Sequence, residues 1–120
     1  MRVLVCGGRD YADRGRVFRT LDRALAKYPD LEIVQGGAGD LKKEIGADIL
    51  ALLWALRREV PCITVPARWS KDGLRAAGPK RNIRMLERWK PQAVVAFPGG
   101  PGTAHMARIA REAGIPVMVL

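Results

Sequence analysis

Residues 93–114 read AVVAFPGGPGTAHMARIAREAG, an apolar run followed by a glycine- and proline-rich turn and a segment with helical spacing. The run AVVAFP (93–98) is apolar without alternation, which is typical of a strand covered on both faces. The following segment, AHMARIAREA, predicts a helix that ends at Gly114. A buried strand joined to a helix by a short loop is part of a βαβ unit, so this stretch predicts a parallel sheet.

The rest of the chain repeats this alternation. Four more strands are predicted at 2–6, 31–35, 62–67 and 116–120, and three more helices at 14–28, 46–60 and 80–89, with 68–79 irregular. Because helices separate continuous apolar runs, we predict an α/β fold, a Rossmann-like three-layer sandwich with a five-stranded parallel sheet. A length of 120 residues suits one domain, so residues 1–120 are expected to form a single domain.

The charge balance is strongly basic. Lysine and arginine number 21 against 12 aspartates and glutamates, a formal net charge of +9. Such a surface attracts anions, including nucleotides and nucleic acids, and charge alone does not choose among them. No run reaches the roughly 18 apolar residues that a membrane span needs, and the N-terminus has no leader pattern. We therefore expect a cytoplasmic protein without a membrane partner.

The two cysteines, Cys6 and Cys62, lie in apolar strand-like runs. Two distant cysteines without clustered histidines predict buried thiols rather than a disulfide or a metal site, and no cofactor is expected. Cys6 precedes a Gly-Gly pair, so a reactive thiol at this position is kept as an alternative.

Three predicted strands end in glycine-rich loops, CGGRD (6–10), QGGAGD (35–40) and PGGPGT (98–103). The carboxyl ends of parallel strands lie at one edge of the sheet, where α/β proteins bind ligands. Any one loop is also explained as a plain turn, but glycine lets a phosphate approach backbone N–H groups at a helix start. The predicted ligand-binding residues in these loops are Gly7, Gly8, Gly36, Gly37, Gly99, Gly100, Gly102 and Thr103. Thr103 either caps the helix or donates its hydroxyl to the anion.

Four further polar residues are candidates for the site. Arg9, which follows the first strand, is placed to clamp a phosphate. Arg81 and Asn82 lie in GPKRNIRM (78–85) at a predicted helix start, where positive side chains oppose the helix dipole unless an anion offsets the cost. His105, the only histidine, is expected in the first turn of its helix, as a general acid or base or as an exposed residue without that role.

Several other residues carry open alternatives. Asp10 or Asp13 either caps the first helix or accepts a ribose hydroxyl, and Asp48 is predicted to accept hydrogen bonds from the first turn of the 46–60 helix. Trp69 either stacks on a base or anchors its loop. The 46–60 helix is apolar around most of its circumference, so it is central or also meets a second subunit, and we expect a homodimer.

Taken together, the segments VLVCGGRDY, GADILALLWA, AGPKRNIRML, VVAFPGGPGT and AGIPVMVL resemble a family of small bacterial and phage proteins in the SLOG superfamily, over essentially the whole chain. The resemblance implies a nucleotide-binding Rossmann-like domain related to the LOG (lysine decarboxylase-like) phosphoribohydrolases and to the DNA-processing protein DprA. LOG enzymes hydrolyse the N-glycosidic bond of a nucleoside 5′-monophosphate, releasing the free base and ribose 5-phosphate.

LOG proteins carry the motif PGGxGTxxE, whose loop holds the phosphate and whose glutamate is catalytic. The phosphate loop is matched here by Gly99, Gly100, Gly102 and Thr103. Arg81 resembles the arginine of the LOG pattern RKxxM, which implies an assisting catalytic role. Met106 stands in the place of the glutamate, so hydrolysis would need His105, Asp10 or Asp48 instead. A second departure is the segment GDLKKEI (39–45), which separates GGA from GAD and has no assigned role.

Three functions remain open from the sequence. The first is a binder of a nucleotide or nucleotide-derived ligand, with or without N-glycosidic hydrolysis. The second is a DprA-like nucleic-acid-binding module, for which positive charge runs along the first helix at Arg14, Arg16, Arg19, Arg23 and Lys27. The third is a catalytically inactive nucleotide sensor.

Overall fold

Strands and helices alternate along the whole chain, and the computed structural model describes residues 1–120. The elements are β1 (Arg2–Cys6), α1 (Arg14–Lys27), β2 (Glu32–Gln35), α2 (Ala47–Arg58), β3 (Cys62–Thr64), α3 (Trp69–Trp89), β4 (Ala93–Ala96), α4 (Pro101–Glu112) and β5 (Val117–Val119). All neighbouring strands pair in parallel, in the order β3-β2-β1-β4-β5. The predicted α/β fold with a five-stranded parallel sheet is confirmed.

The side chains of each strand alternate between two cores on opposite faces of the sheet. Val3 and Val5 of β1 point to the core formed with α1 and α2, which has Trp54 at its centre. Leu4 and Cys6 point to the core formed with α3 and α4. The sheet is therefore covered on both faces, which explains why its strands are apolar without alternation.

The chain reverses direction across the sheet between β1 and β4. It runs outward from β1 through β2 to β3, and then returns to place β4 on the other side of β1. The loops that follow β1 and β4 are joined by a 2.8 Å hydrogen bond from the Gly8 N–H to the Pro98 carbonyl. This is the topological switch point, where α/β sheets open a crevice at the carboxyl ends of their strands.

The prediction that 68–79 is irregular and that a helix starts at Lys80 is wrong. Helix α3 begins at Trp69 and is interrupted at Gly73, which has a φ of 83° and a ψ of 166°. Pro79 lies inside the helix, where its fixed φ is tolerated although it removes one hydrogen-bond donor. Arg81 therefore lies within a helix rather than at its start, so its charge does not oppose a helix dipole.

Helix α4 begins two residues earlier than Thr103. Gly100 is its N-cap and Pro101 its first residue, a position that proline favours because its missing N–H has no helical acceptor there. Thr103 is therefore the third residue of the helix and not its cap, and His105 is the fifth residue, in the second turn rather than the first. For α1, the alternative between two aspartates is settled, since Asp13 accepts a 3.0 Å hydrogen bond from the Arg16 N–H.

Helix α2 is central, which is one of the two explanations predicted from the sequence for its apolar circumference. Seven of its residues are buried, including Trp54, whose indole N–H donates a 2.8 Å hydrogen bond to Asp22. Of its large apolar side chains, only Leu56 is mostly exposed, at 66%. The homodimer stays a prediction.

Candidate functional site

Two neighbouring cavities lie at the carboxyl edge of the sheet. The first cavity, about 540 Å³, is bordered by the β1–α1 loop, the start of α2, the middle of α3 and the first turn of α4. The second cavity, about 220 Å³, is bordered by the β2–α2 loop and the segment from β3 to α3. Arg9, Ala38 and Arg81 border both.

The structure places the predicted site residues in three groups. The first cavity is lined by Gly7, Arg9, Arg81, Asn82, Gly100, Gly102 and Thr103. The second cavity is lined by Arg9, Gly36, Gly37 and Arg81. Gly8, Gly99 and His105 line neither cavity.

The β4–α4 loop presents unpaired backbone donors at the start of α4. The N–H groups of Gly99, Gly100, Gly102 and Thr103 donate to no acceptor in the protein. They sit at the N-terminal end of a helix, where the unpaired amides and the helix dipole attract negative charge. An added Cβ at Gly100 or Gly102 would meet no protein atom within 4 Å, so this surface is open. The loop therefore has the geometry of an anion-binding helix start.

Gly7 and Gly99 lie where close packing leaves no room for a side chain. A Cβ at Gly7 would lie 2.5 Å from the Ala47 Cβ. A Cβ at Gly99 would collide with the Thr103 hydroxyl and lie 2.6 Å from the Gly8 nitrogen. These glycines hold the β1–α1 loop against the β4–α4 loop, and thereby fix the position of the unpaired amides.

The donors of the β2–α2 loop are already used inside the protein. The Gly36 and Ala38 N–H groups donate to Asp48 Oδ2 at 3.2 and 3.1 Å, and the Gly37 N–H donates to Gln35 Oε1 at 2.6 Å. The loop after β4 therefore differs from the loop after β2, because its amides at the helix start are free. The loop after β2 forms a glycine-lined wall instead.

Asp48 does not cap α2, contrary to the prediction. The N-cap is Gly46, which has no side chain to accept a hydrogen bond from the helix. The carboxylate of Asp48 accepts hydrogen bonds from the β2–α2 loop instead. Its Oδ1 is buried without a hydrogen-bond partner. Burial raises the pKa of Asp48 to about 6, against the lowering effect of the Ala38 N–H and of the Arg81 charge. A carboxyl group with a raised pKa thus borders the first cavity.

Arg81 and Asn82 connect the two cavities to α4. Arg81 donates from Nη1 to the Gly36 carbonyl at 2.8 Å and from Nε to Asn82 Oδ1 at 3.1 Å, while its Nη2 makes no hydrogen bond to the protein. Burial lowers the pKa of Arg81, partly offset by the Asp48 charge. The amide of Asn82, buried in the protein, contacts the Gly102 carbonyl at 3.2 Å and His105 Nδ1 at 3.1 Å. Asn82 therefore positions Arg81 against the first turn of α4.

His105 lies beside the site rather than in it. With Asn82 donating to its Nδ1, its proton is on Nε2, and burial, together with the charge of Arg108, lowers the pKa of His105. The next residue, Met106, is fully buried in the core beneath α4. The position that holds glutamate in LOG enzymes therefore faces the core in this protein.

The 39–45 segment forms a small closed excursion. Asp40 and Ile45 pair as an antiparallel bridge, and Gly39 and Gly46, at its two ends, approach so closely that a Cβ on Gly46 would lie 2.9 Å from the Gly39 Cα. Glu44 accepts a 2.8 Å salt bridge from Arg14 of α1. The segment therefore begins and ends at nearly the same point of the backbone.

The thiol of Cys6 is not activated. Burial, and secondarily the charge of Asp48, raises the pKa of Cys6 to about 12, and burial also raises that of Cys62. Both cysteines are free. The alternative of a reactive thiol at Cys6 loses its support, because a nucleophilic cysteine needs a lowered pKa.

Two more features bear on the class of the protein. No group of three or more His, Cys, Asp or Glu side chains is arranged to hold a metal ion. None of the four helices combines the length and apolar character needed to cross a membrane.

The parallel sheet, the helices on both faces and the crevice at the switch point define a Rossmann-like α/β protein. The sequence profile of YAcAr, the YspA, cpYpsA-related SLOG family, matches residues 1–71. The chain belongs to this SLOG family, and the resemblance found in its motifs is confirmed.

Two individual proteins illustrate the similarity. Gene 61 protein of Mycobacterium phage D29 is 39% identical over 125 residues, which cover 98% of this chain and 94% of that protein. The crystal structure of Acinetobacter baumannii MurG aligns with 98% of this chain at a TM-score of 0.57 and 15% identity. The chain spans about a third of MurG (34%), and at this identity the likeness shows the fold alone.

Proposed function

We propose that residues 1–120 act as one unit that binds a nucleotide or nucleotide-derived ligand, with a phosphate group on the amides at the start of α4. One observation carries this proposal: the N–H groups of Gly99, Gly100, Gly102 and Thr103 have no acceptor in the protein, and the last three of these residues line a 540 Å³ cavity. That volume is within the usual range for small-molecule sites, roughly 300–1,000 Å³. Membership of the SLOG family supports a nucleotide-related ligand.

Two arginines complete the proposed anion site. Arg81 has a free Nη2 and is held in place by the Gly36 carbonyl and Asn82, so little side-chain entropy is lost when it binds a ligand. Arg9 is exposed at the border of both cavities and forms no ion pair. Their charges complement a phosphate that accepts hydrogen bonds from the helix start.

A thermal-shift series tests this function. Nucleoside 5′-monophosphates are expected to raise the melting temperature by several degrees, because a ligand at a hundred times its Kd adds roughly 2.7 kcal/mol to the stability of the native state. The matched nucleosides, which lack the phosphate, are the control and should give a clearly smaller shift. A broad nucleotide panel that leaves the melting temperature unchanged at millimolar concentration would contradict the proposal.

A second candidate activity is N-glycosidic hydrolysis, and the raised pKa of Asp48 at the first cavity favours it. Protonated Asp48 would give its proton to the departing base as the bond from the base to the ribose breaks. Water would supply the new oxygen on the ribose carbon and return a proton to Asp48. His105 is less suited to this role because it lies outside the cavity.

Chromatography of the products distinguishes this enzyme from a sensor. Hydrolysis predicts free base and ribose 5-phosphate from a bound nucleoside 5′-monophosphate, and loss of that release in Asp48→Asn. Binding without any release of base, over a full panel of nucleotides, would support the inactive sensor instead.

The nucleic-acid and homodimer hypotheses stay predictions. Of the α1 cations, Arg14 is engaged by Glu44, while Arg19, Arg23 and Lys27 are exposed. Binding of a nucleic-acid phosphate backbone to this surface would weaken steeply as the salt concentration rises. Titration of a fluorescent oligonucleotide at several salt concentrations measures this effect.

A further inference from the structure

The second cavity has the composition of a site for a flat aromatic group. One side is the backbone of the Gly36–Gly39 segment, in which only Ala38 carries a side chain. Gly37 and Gly39 have φ values of 72° and 128°, a region that side chains of L-residues rarely enter. The other side is formed by Pro66, Ala67 and Trp69.

Trp69 is the one exposed tryptophan of the three in the chain. The ring of Trp54 is buried with its N–H bonded to Asp22, and Arg2 lies 5.8 Å from the ring centre of Trp89. Trp69 is 44% exposed and its indole N–H donates to no protein acceptor. An exposed indole on a cavity wall offers a stacking surface.

The turn that carries Trp69 is held by backbone hydrogen bonds and by ion pairs. The first turn of α3 is closed by hydrogen bonds from Lys71 and Asp72 to the Arg68 carbonyl, and it is separated from the rest of the helix at Gly73. The carboxylate of Asp72 lies 3.6 Å from Lys80 Nζ and 3.7 Å from Arg84 Nη1. These ion pairs tie the turn back to the second part of α3, and so hold the partly exposed indole at the second cavity.

The two cavities meet at Arg9 and Arg81, which border both. A ligand with a phosphate on the α4 amides can therefore pass these two cations and enter the glycine-lined cavity. We propose that the nucleobase of the ligand binds in the second cavity, stacked on Trp69, while its phosphate binds in the first. This assignment rests on the proposed function and adds the orientation of the ligand and its aromatic part.

Calorimetric titration with adenosine 5′-monophosphate, ribose 5-phosphate and inorganic phosphate tests the assignment. Stacking of a base on an aromatic side chain contributes roughly 1–3 kcal/mol, which corresponds to about 5- to 150-fold in affinity. Trp69→Ala should therefore weaken the nucleotide at least about 5-fold and leave ribose 5-phosphate within 2-fold. Trp69→Phe should restore most of the loss. Leu74→Ala is the matched control, because it removes an apolar side chain that is 85% exposed on the same helix and lines neither cavity.

The results separate this inference from the function on which it rests. Suppose that ribose 5-phosphate and phosphate bind to the wild-type protein. If Trp69→Ala then leaves the affinity for the nucleotide unchanged, or lowers the affinities for the nucleotide and for ribose 5-phosphate equally, the stacking site is overturned and the anion site stands. If neither sugar phosphate nor nucleotide binds the wild-type protein, the proposed function itself fails.

Discussion

Arg81→Ala is expected to weaken binding of a nucleoside 5′-monophosphate by about 10- to 150-fold. Charge-assisted hydrogen bonds contribute roughly 1.5–3 kcal/mol each, and this side chain is already held at the cavity by Gly36 and Asn82. The affinity of Arg81→Lys should lie between those of the wild type and of Arg81→Ala. Lysine keeps the charge but lacks the planar group that can bond to Gly36, Asn82 and the phosphate at once. Affinities from calorimetry at one salt concentration measure the difference.

Arg88→Ala is the matched control for the charge. Arg88 lies two turns further along α3, is exposed, and forms no ion pair, so its removal should change the affinity less than 2-fold. Circular dichroism and the melting temperature verify that each variant is folded. A folded Arg81→Ala protein that binds the nucleotide as tightly as the wild type would remove Arg81 from the site.

The second large effect is on stability, at Asp48. The pKa of this carboxyl is about 6 in the folded protein against 3.8 for the free side chain, so the native state holds its proton more tightly. Stability from this group is therefore fully present below about pH 4 and is lost as the pH rises through 6. The full loss is about 3 kcal/mol, since one pKa unit corresponds to roughly 1.4 kcal/mol.

Asp48→Asn removes this titration while keeping one oxygen that can accept from Gly36 and Ala38. We expect the free energy of unfolding of the wild type, relative to the variant, to fall by about 2–3 kcal/mol between pH 4 and pH 7.5. Urea denaturation at several pH values measures this difference, and any cost of the new amide cancels because it does not depend on pH. If the difference in unfolding free energy between wild type and variant is independent of pH, or moves in favour of the wild type as the pH rises, the raised pKa of the buried Asp48 carboxyl is contradicted.

The fold was readable from the sequence because every strand has an apolar centre and lies close to a glycine or a proline. The misread region is α3, where Gly73 and Pro79 signal breaks. Gly73 does interrupt the helix, but Pro79 does not end it, and Asp72 ties the first turn to Lys80 and Arg84 across the interruption.

The site was predictable only in part. The glycines after β4 and the nearby Arg81 stand out in the sequence, and the structure brings them to the same cavity. The orientation of Asp48 was not predictable, because a residue two positions after a helix cap usually turns to its own helix. That orientation occupies the Gly36 and Ala38 amides of the β2–α2 loop, so these two are not available to a ligand.

The most direct measurement is a titration of the ¹⁵N-labelled protein with a nucleoside 5′-monophosphate, followed through its backbone amide resonances. The account predicts large shifts at Gly99, Gly100, Gly102 and Thr103, whose N–H groups have no acceptor in the protein, together with changes in the Gly36–Gly39 backbone, which lines the cavity proposed for the base. Shifts that leave the start of α4 unchanged and collect on another surface, such as the basic face of α1, would contradict it.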